Sequence, residues 1–244
     1  MRRTPRPRYA AAMRTSIATA TLAAAAWALA GCEVPAAGPA TFAAPSFDAQ
    51  CARLPPSRFE VVATPIRVAV DRTRSQRELT GMYEQATARH LTMGLTQARI
   101  GHQSAIEVSG LQDAAGERVC MRVAVRVELS MRPLTVFVAR ELDDDPCRQS
   151  AVRDHEWKHV AVYERALAES TPALAASLEA AFGGRTFGGR SAPAVQADVQ
   201  DAVGRHLDAF LDATGRAIRA RQAEVDTPEE YARVGAACKA LRPP

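Results

Sequence analysis

Apolar and polar residues alternate from Arg118 to Leu129. Val119, Met121, Val123, Val125, Val127 and Leu129 fall on one face, and Arg118, Cys120, Arg122, Ala124, Arg126 and Glu128 on the other. Period two over this length predicts a strand with one buried and one wetter face. Ile66, Val68 and Val70 alternate with Arg67, Ala69 and Asp71 and predict a second strand. Ile106 and Val108 give a weaker signal, and Leu134 to Ala139 predicts a strand antiparallel to the long one. Helical spacing first appears after the capping box Ser75-Gln76-Arg77-Glu78, where Leu79, Met82, Tyr83 and Ala86 predict a helix from about Gln76 to His90. Asp145-Pro146 opens another helix, expected to reach Ser170, with Pro172 starting or kinking a further stretch to Phe182. Gly183-Gly184 stops it and Gly188-Gly189 reads as flexible loop. Val195, Val199, Val203, Leu207, Phe210, Leu211 and Ile218 then mark a long helix from about Ala194 to Ala223. Thr227-Pro228-Glu229-Glu230 starts a last short helix, with Glu230 as capping partner of Thr227. The expected fold class is α+β: a small, mainly antiparallel sheet followed by long helices.

The N-terminus reads as an address. Arg2, Arg3, Arg6, Arg8 and Arg14 precede an uncharged run from Thr15 to Ala30, which ends in Leu29-Ala30-Gly31-Cys32. A basic region, an apolar region and small residues at the end describe a secretory signal, and the run is short for a membrane span. Leu-Ala-Gly-Cys resembles the lipobox of bacterial lipoproteins. The resemblance implies cleavage before Cys32, lipidation of its sulfur and acylation of the new amine, which is enough chains for stable anchoring. Glu33, not Asp, follows, which in such lipoproteins implies an outer-membrane anchor facing the periplasm. The expected organisation is therefore a signal peptide over 1–31, a lipidated Cys32 with an Ala/Pro-rich tether to residue 57, and a domain over 58–244.

Removing the signal changes the charge picture. The whole chain has 31 basic and 27 acidic residues, and the first 31 residues hold five arginines and no acid, leaving 26 basic against 27 acidic. The basic pI belongs to the leader and gives no reason to expect a nucleic-acid partner. With Cys32 lipidated, Cys51, Cys120, Cys147 and Cys238 remain, an even number that in an exported chain implies two disulfides. The three possible connectivities are not distinguished by sequence. Tying the domain ends together would pair Cys51 with Cys238 and Cys120 with Cys147.

The chemistry concentrates in His155-Glu156-Trp157-Lys158-His159. Two histidines four apart project from one helical face and can share one zinc ion, with Glu156 placed to act as general base on a water. This is the zincin motif. It predicts a zinc peptidase acting on a peptide or protein of the cell envelope. The rival reading is an inactive zincin-like module that binds or assembles envelope components. A third ligand is required, and position 165 is Arg, which argues against a metzincin continuation. Glu179, 20 residues after His159, resembles the gluzincin arrangement. Glu229 is the other main candidate, though an acid in a first helical turn is also favoured by the helix dipole. His206, on another helix, is a weaker one. Tyr231 could donate to a developing oxyanion, and Tyr163 shares the histidine face, although core packing accounts for either. Trp157 and Lys158 are expected to point elsewhere, and His90 and His102 show no ligand spacing.

The stretch from about Phe59 to Cys238 resembles a bacterial family of exported, zincin-like zinc-dependent proteases that is otherwise uncharacterised. The resemblance rests on a strand-rich first half containing Gly94-Leu95-Thr96, a Cys-containing strand, then H-E-x-x-H and long helices. Members of that family often end with a Thr followed two residues later by a His, close to an acid. Here Thr227 is followed by Glu229, so the resemblance implies Glu229 as the third ligand, in place of a histidine.

Overall fold

The computed structural model describes residues 44–83 and 91–238. The signal segment, Cys32, most of the expected tether, and Ala86 and His90 of the first expected helix lie outside the described residues. In chain order the elements are α1 (Phe47–Ala52), β1 (Arg58–Ala63), β2 (Val68–Asp71), α2 (Gln76–Met82), β3 (Gly94–Gln97), β4 (Ile100–Gln112), β5 (Val119–Met131) and β6 (Leu134–Val138). A 3-10 turn (Arg140–Leu142) leads into α3 (Pro146–Phe182), β7 (Phe187–Gly189), α4 (Ala192–Val225) and α5 (Pro228–Ala236). The fold is α+β, with two small mixed sheets and long helices.

The alternating segment forms β5, the spine of the first sheet. β4 pairs antiparallel along all of it, while β1 runs parallel to Ala124–Leu129 and β7 antiparallel to Val119–Met121. Gly188 and Gly189, expected in a loop, thus extend a sheet. β6 does not join β5. It pairs parallel with β2 and antiparallel with β3 in a second sheet of order β2-β6-β3. The reason lies in Arg132-Pro133, the two residues between β5 and β6. A two-residue hairpin needs positive φ at one or both central positions, which proline cannot adopt and arginine rarely does. Both sheets are mixed, each with one parallel pair and the remaining pairing antiparallel.

The odd-numbered face of β5 is buried from Val119 to Met131, against Leu174, Leu178 and Phe182 of α3 and the Val195, Val199, Val203 and Leu207 stripe of α4. The second sheet has its own cluster, in which Leu134, Val136 and Val138 of β6 meet Leu142 and Val152 and Val160 of α3. The 37-residue α3 runs unbroken through Pro172 and serves both clusters. Its start is fixed as expected, since Asp145 accepts from the Arg148 amide and Pro146 occupies the first turn.

Two disulfides form, with a connectivity different from the expected one: Cys51–Cys120 and Cys147–Cys238. Part of the expected tether is folded into α1, which lays Cys51 beside Cys120 in a cluster with Leu54 and Phe47. Helix α5 runs back along α3, so Cys238 arrives at Cys147 near the start of that helix. Cα separations of 6.1 and 5.8 Å are within the reach of a disulfide.

Candidate metal centre

His155, Glu156 and His159 stand on the buried stripe of α3, between Val152 and Val160. Polar groups there need partners, because burial without a hydrogen bond costs on the order of 1–3 kcal/mol each. Apart from the contact between the two histidines, the partners come from other elements. β3 supplies Thr96, α4 supplies Gln222, the link after α4 supplies Asp226, and α5 supplies Glu230.

The Nε2 atoms of the two histidines lie 3.3 Å apart. Asp226 Oδ1 is 3.3 Å from the Nε2 of His155 and 3.2 Å from that of His159. Among the described residues these three form the group able to hold a metal ion. Zinc bonds of 2.0–2.1 Å in a tetrahedron put neighbouring ligand atoms about 3.3–3.4 Å apart. The triangle of donors therefore has the size of one face of a zinc tetrahedron. The other ring nitrogens are also occupied: His155 Nδ1 faces Glu230 Oε1 at 3.2 Å, and His159 Nδ1 faces Gln222 Oε1. An acceptor at Nδ1 places the proton there and leaves the Nε2 lone pair for a metal. Gln222 is held in turn by its amide, which donates to the His159 carbonyl at 3.2 Å. The residues present fit zinc.

Glu156 is 3 % exposed and accepts from the Thr96 hydroxyl at 2.8 Å. Gly94 lies against the same carboxylate, and a Cβ there would stand 2.7 Å from Val152 Cγ1. The Gly94-Leu95-Thr96 stretch thus packs directly on the motif helix. Burial pushes the Glu156 carboxyl above its ordinary range, against the pull of the two histidines. Burial acts to lower both histidines, but the neighbouring carboxylates win and raise them. Burial acts to raise Asp226, and hydrogen bonds from His155, His159 and Tyr231 hold it well below the usual carboxylate range.

The candidate third ligands fall elsewhere. Glu229 is exposed in the first turn of α5 and Glu179 is exposed far along α3. His206 pairs with Ser177 at 2.8 Å, about five turns beyond His159 on α3. Glu230 takes part in the cap only through its amide, which donates to Thr227 Oγ1 at 3.2 Å. Its carboxylate, instead of closing a capping box, binds His155, Lys158 at 2.7 Å and Arg233 at 2.6 Å. Lys158 is therefore tied into the site rather than pointing away. Tyr231 does reach the centre, donating to Asp226 Oδ1 at 2.8 Å with its ring 5.6 Å from that of His155. Tyr163 packs with both hydrophobic clusters. Asp226 and Gln222 carry no spacing signal in the sequence. Their place depends on how α4 and α5 meet α3.

The chain has no significant match among protein families, curated proteins or solved structures.

Proposed function

We propose that the chain is a zinc-dependent peptidase of the zincin type, anchored as a lipoprotein in the outer membrane, facing the periplasm and acting on peptides or proteins of the cell envelope. The observation that carries this reading is the triangle of His155 Nε2, His159 Nε2 and Asp226 Oδ1, with both Nδ1 atoms engaged behind it. The export part draws on the N-terminal pattern and on the two disulfides. No described helix is long and apolar enough to cross a membrane.

Zinc held by these three residues would supply a Lewis acid that polarises the scissile carbonyl and acidifies a water. Glu156 would take that water's proton on a carboxylate oxygen, an uptake favoured by the burial that raises its proton affinity, and then hand it to the leaving amine. Thr96 orients Glu156, and the Tyr231 hydroxyl is placed to turn from Asp226 towards an oxyanion.

A second reading is a catalytically inactive zincin-like lipoprotein that binds or assembles envelope components. It is favoured by the depth of Glu156, which is tied to Thr96 and packed on Gly94. Metal analysis of wild type and His155→Ala, followed by a peptide-library assay with Glu156→Gln as control, separates the two. One zinc per chain, lost in His155→Ala, together with hydrolysis abolished by Glu156→Gln, supports the peptidase. Zinc without hydrolysis supports the binding module, and a folded wild type without zinc defeats the peptidase and leaves the binding module.

A further inference from the structure

Helix α5 contributes no buried residue, yet the segment from Asp226 to Tyr231 supplies three of the groups that meet at the histidines. Beside the Tyr231 ring against His155, two attachments hold this helix on α3. At its start, the Glu230 carboxylate, with 13 % of its side chain exposed, joins His155 Nδ1 to Lys158 of the motif and to Arg233 one turn on. At its end, Cys238 is covalently joined to Cys147, eight residues before His155. Val234 adds only a partly buried contact with the second cluster. A helix attached this way has little apolar area to keep it in place if an attachment is cut.

We propose that α5 is a bracket for the metal centre: Glu230 positions His155, and the Cys147–Cys238 crosslink keeps Glu230 in place, so that the site binds metal tightly only in the oxidised protein. The inference rests on the zinc reading above and adds its regulation. A dithiol reductant cuts the crosslink. The reagent passes two electrons and two protons to the sulfurs, leaving two cysteine thiols and a cyclic disulfide. Released from its end, α5 frays, the acceptor at Nδ1 is lost, and the His155 ring is free to rotate and change tautomer. Asp226 remains attached to the end of α4, so affinity falls without vanishing. The Cys51–Cys120 bond sits in a separate cluster with α1 and has no part in this.

The test is zinc affinity, measured by competition with a chromophoric chelator on the full chain purified in detergent without reductant, for variants with wild-type far-UV circular dichroism. Cys147→Ala/Cys238→Ala is preferred to simple reduction, because free thiols bind zinc themselves. This variant and Glu230→Ala should each lose on the order of 10–100-fold in affinity. The visible spectrum of their Co2+-loaded forms should shift, and Glu230→Gln, which keeps an acceptor oxygen, should recover part of the loss. Cys51→Ala/Cys120→Ala should bind like wild type. If the crosslink variant fails to fold, Glu230→Ala decides with the disulfide intact. Wild-type affinity in the α5 variants, or an equal loss in the Cys51/Cys120 variant, overturns the bracket while leaving the zinc reading standing. Oxidised wild type without zinc overturns both.

Discussion

Asp226 and Glu229 are three residues apart, yet only Asp226 turns its carboxylate to the histidines. Asp226→Ala should therefore weaken zinc binding sharply, whereas Glu229→Ala should leave it unchanged; the reverse result would move the third ligand back to α5. Protonation gives a second check. In the metal-free chain the two histidines are raised and Asp226 is lowered, so the same ion pairs appear on both sides. A raised histidine stabilises the fold fully below its unfolded pKa of about 6.5 and loses that contribution as pH rises through the folded value. A lowered aspartate stabilises above about 3.9 and loses its contribution as pH falls through the folded value. Both contributions are thus present between about pH 4 and 6.5. Zinc displaces the histidine protons, so its stabilisation should grow from pH 6 to pH 8. Melting curves with chelator and with zinc at the two pH values measure this, and an equal shift at both would contradict it. The motif residues were legible because spacing alone puts them on one helical face. Asp226 was not, because it lies beyond α4, whose approach to α3 no local pattern encodes.

Strand β3 and helix α3 meet without room for a side chain at Gly94. Gly94→Ala should destabilise the chain by about 1–3 kcal/mol through overpacking and push Glu156 off its Thr96 bond. Lower activity at unchanged zinc content is the expected signature. Capping chemistry placed two helix starts, the Ser75 box and Asp145-Pro146, but the first helix closes at Met82, with Tyr83 extended, rather than continuing on the expected spacing. Period two found β5, β6, β2 and, faintly, β4, but not which strand pairs with which. β4 was faint because its burial is one-sided and shallow, although it pairs along the whole of β5. Pairing is a long-range choice, and for β6 it was decided by the two residues before it. The cysteine pairing failed for the same reason. It depends on α1 and α5 each folding back, and neither return is written in cysteine spacing.

At the scale of the molecule, α3 is the member common to both hydrophobic clusters, with Val160 in one and Leu178 in the other. Leu178→Ala should cost about 2–5 kcal/mol, and Val160→Ala somewhat less, each leaving a cavity. Calorimetry should show either variant lowering one shared transition rather than splitting it in two. The α+β class was legible from the order of patterns; the division into two sheets was not. A rod common to both halves has a dynamic consequence. Backbone amides near Leu178 and Val160 should therefore exchange with solvent through one shared opening, as expected if α3 leaves both sheets together. Zinc binding at His159 should then slow deuterium uptake around Leu178, about 28 Å farther along the helix axis, as much as it does beside the histidines.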